Sequence, residues 1–379
     1  MNIKSRLQSF LASETAAGQW LIVAALCSLL LSQTPLGPAY VTLWHHPVWG
    51  VSLHHAINDG LMTLFFLLVG LELRFETQTG LLAQPGQFWL PAMGALGGML
   101  VPGALYLWAA QSTPLAGGFG VPMATDIAFA LAVLSLFGSR IPLSVKLFLT
   151  ALAVMDDLGA VLLIALAYAH SLQWPFIVAS FAVIIGMAWW GKKMKCPAWV
   201  YVLTGLIAWG LMLPSGIHAT LAGVCWALVV PGAPQLSSSM ARRWHHALEK
   251  PVAWIVLPIF ALANTALLFS DVDMHSVAFA TLPWAIGLAL VIGKPVGIYS
   301  AVWITHRLYA IPFPKKMQQS HVLLVGLLGG IGFTMSVFMC QLAFVDANAI
   351  QVGIWSVVGA SCVAALLALG YGVVLTRKR

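Results

Sequence analysis

Residues 143–169 read LSVKLFLTALAVMDDLGAVLLIALAYA, an apolar run with two adjacent aspartates near its middle. A helix crossing about 30 Å of hydrocarbon at about 1.5 Å per residue needs roughly 20 mostly apolar residues, and this stretch supplies them. The rest of the chain agrees with a membrane reading. Of its 379 residues 60% are hydrophobic and 8% charged, against about 25% charged in an ordinary soluble domain. Disorder, collagen, a secreted disulfide scaffold and a cytosolic enzyme are excluded at this step. The five cysteines (Cys27, Cys196, Cys225, Cys340 and Cys362) are scattered and form no CxxC pair, so neither a disulfide framework nor a metal knuckle is supported.

Twelve such runs can be drawn, at 18–34, 58–79, 88–110, 120–137, 143–169, 174–192, 197–213, 215–230, 251–269, 282–306, 320–344 and 350–375. The expected fold is an all-α polytopic membrane protein of twelve transmembrane helices. It forms one membrane transporter domain over 1–379, since the longest connection, 231–250, is too short for a soluble domain. Lys4 and Arg6 mimic the charged start of a signal peptide, but no convincing small-residue cleavage site follows. The first run therefore reads as an uncleaved span. Alternate connections assigned to opposite sides place seventeen of the 18 lysines and arginines on one side, leaving only Lys294, which lies inside a span. That segregation predicts cytoplasmic termini and an even number of spans. The net charge of +7 thus reports topology, and no nucleic-acid partner is expected.

Four ionisable residues fall at membrane depth: Asp126, Asp156, Asp157 and Lys294. Each costs about 2.5–3.5 kcal/mol at a helix centre, so their retention needs a reason. For one Asp–Lys pair, helix–helix adhesion is an equally good reason. It fails for the set, because three carboxylates face one ammonium. Adjacent carboxylates repel, and either a proton or a bound cation relieves the repulsion. A site that accepts either ion is suited to exchange.

Glycine and proline also interrupt two of the runs. The fourth follows Gly117-Gly118-Phe119-Gly120-Val121-Pro122, and the eleventh carries Gly326, Gly329, Gly330 and Gly332. Unwound backbone is tolerated at this depth only where it is buried in protein or lines a cavity. Close packing through small residues explains either run alone. Each, however, is the middle of a trio, spans 3–5 and 10–12, and the trios enter the membrane from opposite sides. Paired interruptions in inverted-topology repeats point to an ion site at mid-membrane. Asp126 and Lys294 are the charges available to compensate the helix ends that meet there.

Several motifs together resemble the bacterial sodium/proton antiporters of the NhaA type. They are Ala124-Thr125-Asp126-Ile127-Ala128-Phe129-Ala130, Asp156-Asp157-Leu158-Gly159-Ala160, Gly216-Ile217-His218-Ala219-Thr220-Leu221-Ala222-Gly223, Gly293-Lys294-Pro295 and Gly330-Ile331-Gly332-Phe333-Thr334-Met335-Ser336. Phe65-Phe66-Leu67-Leu68-Val69-Gly70-Leu71-Glu72 and Phe260-Ala261-Leu262-Ala263-Asn264 extend the match over nearly the whole chain. That family is itself a standard instance of inverted repeats, so the repeat reading and the resemblance are one argument.

The resemblance implies that Asp156 and Asp157 bind sodium or lithium and carry protons. It implies that Asp156 pairs with Lys294 when sodium is absent, and that Asp126 and Thr125 compensate crossed broken helices. His218, Glu72 and Glu76 would shape the response to pH. It further implies a homodimer in the bacterial inner membrane, activated at alkaline pH, with sodium, lithium and protons as cargo and no cofactor. Two places depart from the family pattern: Arg74-Phe75 stands where two basic residues are usual, and His245-His246, with Glu249 further on, where an acidic residue is usual. These put His245, His246 and Glu249 among the candidates for the pH response. The paired histidines His45, His46, His54 and His55 are weak evidence for a metal and are left without a role.

The expected activity is export of sodium in exchange for a larger number of protons, serving sodium and pH homeostasis. A cation channel or another proton-coupled transporter is the nearest alternative. An intramembrane aspartyl protease could be drawn from Asp126 and Asp157, but no Gly-x-Gly-Asp context is present and Lys294 would have no role. A retinal-type receptor would need the in-span lysine, usually within seven spans.

Overall fold

The computed structural model describes residues 14–377 apart from 49, 84, 170, 194–195 and 233–238. Lys4, Arg6, Lys195, Lys378 and Arg379, counted above on the basic side, lie outside the described residues. In chain order the helices are α1 (Glu14–Ser32), α2 (Gly37–His45), α3 (Leu53–Gln78), α4 (Pro85–Ala110), α5 (Ile127–Ser135), α6 (Leu143–Ala167) and α7 (Trp174–Lys193). They continue as α8 (Ala198–Met212), α9 (Leu221–Val229), α10 (Met240–Asn264), α11 (Val277–Tyr309), α12 (Gln319–Gly329), α13 (Phe333–Ala343) and α14 (Ala347–Arg377). Among the described residues, β structure is confined to the antiparallel pair Pro47–Val48 and Val51–Ser52.

Among the described residues nine helices, or up to eleven if each bent pair is one span, are long and apolar enough to cross a membrane. The bent pairs are α1 with α2, at 117°, and α12 with α13, at 47°. The chain is an all-α, multi-pass membrane protein.

The expected run at 215–230 is not one helix. Its start is a tight turn at Leu213–Ser215, followed by Gly216 at φ +82, and only the nine residues of α9 are α-helical. Nine residues reach about 14 Å, well short of the hydrocarbon thickness. Pro214 and left-handed Gly216 break the helix where hydropathy alone sees continuous apolar sequence. The expected run at 251–269 is displaced the other way. Helix α10 starts at Met240, because Ser239 caps it through Arg242 N, and a polar first stretch, Arg242-Arg243-Trp244-His245-His246, continues straight into the apolar one.

Two wide helical turns precede prolines. In α11 the turn Ala289–Gly293 leads into Lys294-Pro295, and in α10 Val252–Val256 leads into Leu257-Pro258. Proline has no N–H for the carbonyl four residues back, and the helix widens there. Helices α4 and α11 cross at Gly97 and Gly297, where a Cβ on either glycine would collide with the other's carbonyl oxygen. That close approach seats the buried Lys294 side chain against Gly98 and Gly329.

Candidate functional site

Helix α6 carries Asp156 and Asp157 near its midpoint, 0% and 2% exposed respectively. The two interrupted spans cross beside them. The fourth is a tight 3-10 helix, Ala116–Met123, then extended backbone through Ala124-Thr125-Asp126, then α5. The eleventh is α12, a break at Gly330–Gly332, then α13. At the crossing Asp126 N donates to Ile331 O at 2.8 Å, tying one break to the other. Gly330 lies against Leu290 O, where a Cβ would not fit.

The helix ends left by the two breaks are met by charge of the matching sign. Asp126 Oδ1 accepts from Phe129 N (2.9 Å) in the first turn of α5. Its Oδ2 accepts from Thr334 N (3.0 Å) and Thr334 Oγ1 (2.6 Å) in the first turn of α13. One carboxylate thus caps two helix N-termini, where backbone N–H groups and the dipole favour negative charge. The carbonyl ends are served by donors. Lys294 Nζ donates to Met123 O, the last residue of the 3-10 helix, and Thr125 Oγ1 lies 3.1 Å from Gly329 O, the last residue of α12.

Lys294 Nζ also pairs with Asp156 Oδ2 at 2.9 Å, and Thr125 Oγ1 lies 2.7 Å from the same oxygen. The threonine has one proton for two acceptors, Asp156 and Gly329, so it serves one at a time. Asp156 Oδ1 and Asp157 Oδ1 are buried without a hydrogen-bond partner. Buried acceptors are almost always satisfied, and an orphaned carboxylate oxygen calls for a proton or a cation. Two of them on adjacent residues make a place where either ion fits.

A family model for Na+/H+ antiporter 1 matches residues 8–371. The chain belongs to that family. It is 41% identical to the Na(+)/H(+) antiporter NhaA of Cytophaga hutchinsonii over 97% of this chain and 95% of that relative. It is 43% identical to the one from Flavobacterium psychrophilum, covering 93% of this chain and 91% of the relative. Against the one from Dechloromonas aromatica it is 41% identical over 97% and 93%. Asp126, the adjacent pair Asp156 and Asp157, and Lys294, from three separate stretches of this antiporter-family chain, meet at one crossing.

The candidates for the pH response divide into two places. Glu72, Glu76, His245, His246 and Glu249 line a funnel of about 280 Å³ with Phe75, Arg242, Thr150 and Val154. Thr150 and Val154 precede Asp157 by seven and three residues on α6, so the funnel wall includes the helix face that carries Asp157. His218 lies elsewhere. Its Nε2 is 3.4 Å from Asp59 Oδ1, its Nδ1 is 3.0 Å from Thr220 Oγ1, and its ring meets Phe338 edge-on at 5.3 Å.

The two departures from the family pattern touch each other. Phe75 packs edge-on against His245 with ring centroids 4.8 Å apart. The neighbouring Arg74 spans the end of α9, donating to Ala227 O (3.0 Å), Val230 O (2.6 Å) and Gly232 O (3.1 Å).

Sequence reasoning missed several groups. Asp59, given no role by the sequence, lies inside α3 between His55 (2.9 Å) and His218. The spacing of His55 and Asp59, one helical turn, was the available signal. His54, left without a role, joins Asn58, Asn264 and Gln341: Asn264 Nδ2 donates to Asn58 Oδ1 at 2.9 Å, Gln341 Nε2 donates to Asn264 Oδ1 at 3.0 Å, and His54 Nε2 lies 3.1 Å from that oxygen. Thr334 and the Met123 and Gly329 carbonyls were likewise unassigned, and backbone carbonyls leave no trace in a sequence.

Proposed function

We propose that this protein exports Na+, and accepts Li+, in exchange for a larger number of protons, with Asp156 and Asp157 as the shared binding pair. The observation that carries the reading is the two partnerless buried oxygens, Asp156 Oδ1 and Asp157 Oδ1, beside an ammonium. The state with Lys294 on Asp156 is the sodium-free one. A sodium ion entering along the funnel takes carboxylate oxygens from the protons and from Lys294. Protonation from the opposite side then returns the pair to its resting partners and expels the ion. Asp126 stays outside this exchange, because both of its oxygens hold helix ends, and for the same reason it does not pair with Asp157 as a protease dyad.

The setting we propose is the bacterial inner membrane, with twelve crossings, both termini cytoplasmic, spans 3–5 and 10–12 as inverted repeats, a homodimeric assembly and no resident cofactor. The nine-residue length of α9 is compatible with twelve crossings if the turn at 213–220 completes the eighth, as broken backbone does in the fourth and eleventh. Glu72, Glu76, His245, His246 and Glu249 at the funnel, and His218 beyond it, tune activity to pH.

One net charge moved is worth about 2.3 kcal/mol per 100 mV, so unequal exchange lets an inside-negative potential drive sodium out against an alkaline exterior. In proteoliposomes, imposing such a potential is expected to accelerate sodium movement toward the more positive side. An exchange rate indifferent to potential would overturn the unequal stoichiometry.

A further inference from the structure

The funnel mouth holds a cluster that antiport does not require. On the first turns of α10, His245, His246 and Glu249 each bring a ligand atom to within 4.8 Å of the others. His246 Nδ1 and Glu249 Oε2 are 3.7 Å apart, and from the facing helix α3 Glu72 Oε1 stands 3.9 Å from His245 Nε2. Phe75, edge-on to His245, limits the swing of that imidazole.

We propose that His245, His246 and Glu249, with Glu72 opposite, bind a divalent transition cation of the zinc class, and that its binding slows sodium entry through the funnel. Four considerations support this. Zinc takes imidazole nitrogen and carboxylate oxygen at about 2.0–2.2 Å in a tetrahedron, which places ligand atoms about 3.3 Å apart. Atoms already within 4.8 Å reach that spacing by side-chain rotation, and the His246 and Glu249 side chains are 61% and 46% exposed. Two imidazoles select borderline metals over hard Na+, Mg2+ or Ca2+, so the site is chemically distinct from the Asp156–Asp157 pair. The charge balance also suits a dication, because Glu72, Glu76 and Glu249 line the funnel against the single guanidinium of Arg242. Finally, Glu72 on α3 and Glu249 on α10 line the same funnel as Thr150 and Val154, and Glu72 already reaches His245 of α10, so a metal held between the two helices narrows it. The metal-binding half stands without the antiport reading, and the slowing of exchange rests on it.

The test uses the full chain with any purification tag removed and ZnCl2 as the probe. Zinc affinity is measured in detergent by competition with a chromogenic chelator, for wild type, for His246→Gln with Glu249→Gln, and for Asp157→Asn. We expect one zinc per chain in wild type and in Asp157→Asn. The double substitution should weaken binding about tenfold or more. His45→Gln with His46→Gln, on the opposite end, should leave it unchanged. Everted vesicles, which present the funnel to the medium, then report sodium-dependent proton movement with and without zinc. Each variant is compared with its own zinc-free rate. Zinc should slow wild type and spare the double variant. Equal zinc affinity in wild type and the double variant would overturn the site, and zinc bound at the site without slower exchange would overturn the proposed effect. Loss of zinc binding in Asp157→Asn would mean that the metal occupies the transport pair instead.

Discussion

Asp156 links the in-span lysine to an interrupted span: Lys294 and Thr125 share its Oδ2 while its Oδ1 has no partner. Removing one partner of a buried ion pair leaves an uncompensated charge and costs about 3–5 kcal/mol. Lys294→Met should therefore lower thermal stability in detergent markedly, and adding Asp156→Asn should recover much of the loss. If the double variant melts no higher than Lys294→Met alone, the 2.9 Å contact is not an energetic pair. Asp126 predicts a different pattern. A cap is worth about 1 kcal/mol, and this carboxylate provides two, so Asp126→Ala should destabilise by about 2 kcal/mol. Asp126→Asn, which keeps one carbonyl acceptor, should lose less. A variant series in which Asn and Ala melt alike would remove the capping account.

The elements place these residues through close helix crossings. Gly297 lets α11 meet α4, and the same helix carries Lys294 one turn earlier. Gly297→Val and Lys294→Met should thus both abolish exchange in everted vesicles. Gly287→Val, on the same helix but with open space at its Cβ, should change the rate little. Equal effects from the two would mean that the crossing does not position the lysine. The interrupted spans were legible in the sequence because Gly326, Gly329, Gly330 and Gly332, and Pro122 ahead of Thr125-Asp126, are residues that helices reject. The turn that opens the eighth run was not legible, because Gly216 sits in apolar sequence where hydropathy does not register a turn. The start of α10 was hidden for the opposite reason, since Arg242-Arg243 and His245-His246 read as a loop although Ser239 caps a helix there. The side-chain network of His54, Asn58, Asn264 and Gln341 joins residues more than two hundred positions apart, a closeness that only folding creates.

At the scale of the whole molecule, charge sorts by depth. Basic residues gather at one side of the proposed membrane, and four ionisable groups meet at the crossing. The proposed orientation rests on the first of these. In a cysteine-free background, Ser270→Cys should react with a membrane-impermeant maleimide added to intact cells, and Ser139→Cys should react only after permeabilisation. The reverse pattern would invert the topology. The second underlies the proposed exchange, in which sodium and protons compete for Asp156 and Asp157. The direct measurement is proton release when sodium is added to the detergent-purified protein at weak buffering. The account predicts an acidification that saturates with sodium and is lost in Asp157→Asn. Release of the same size from the variant would contradict it.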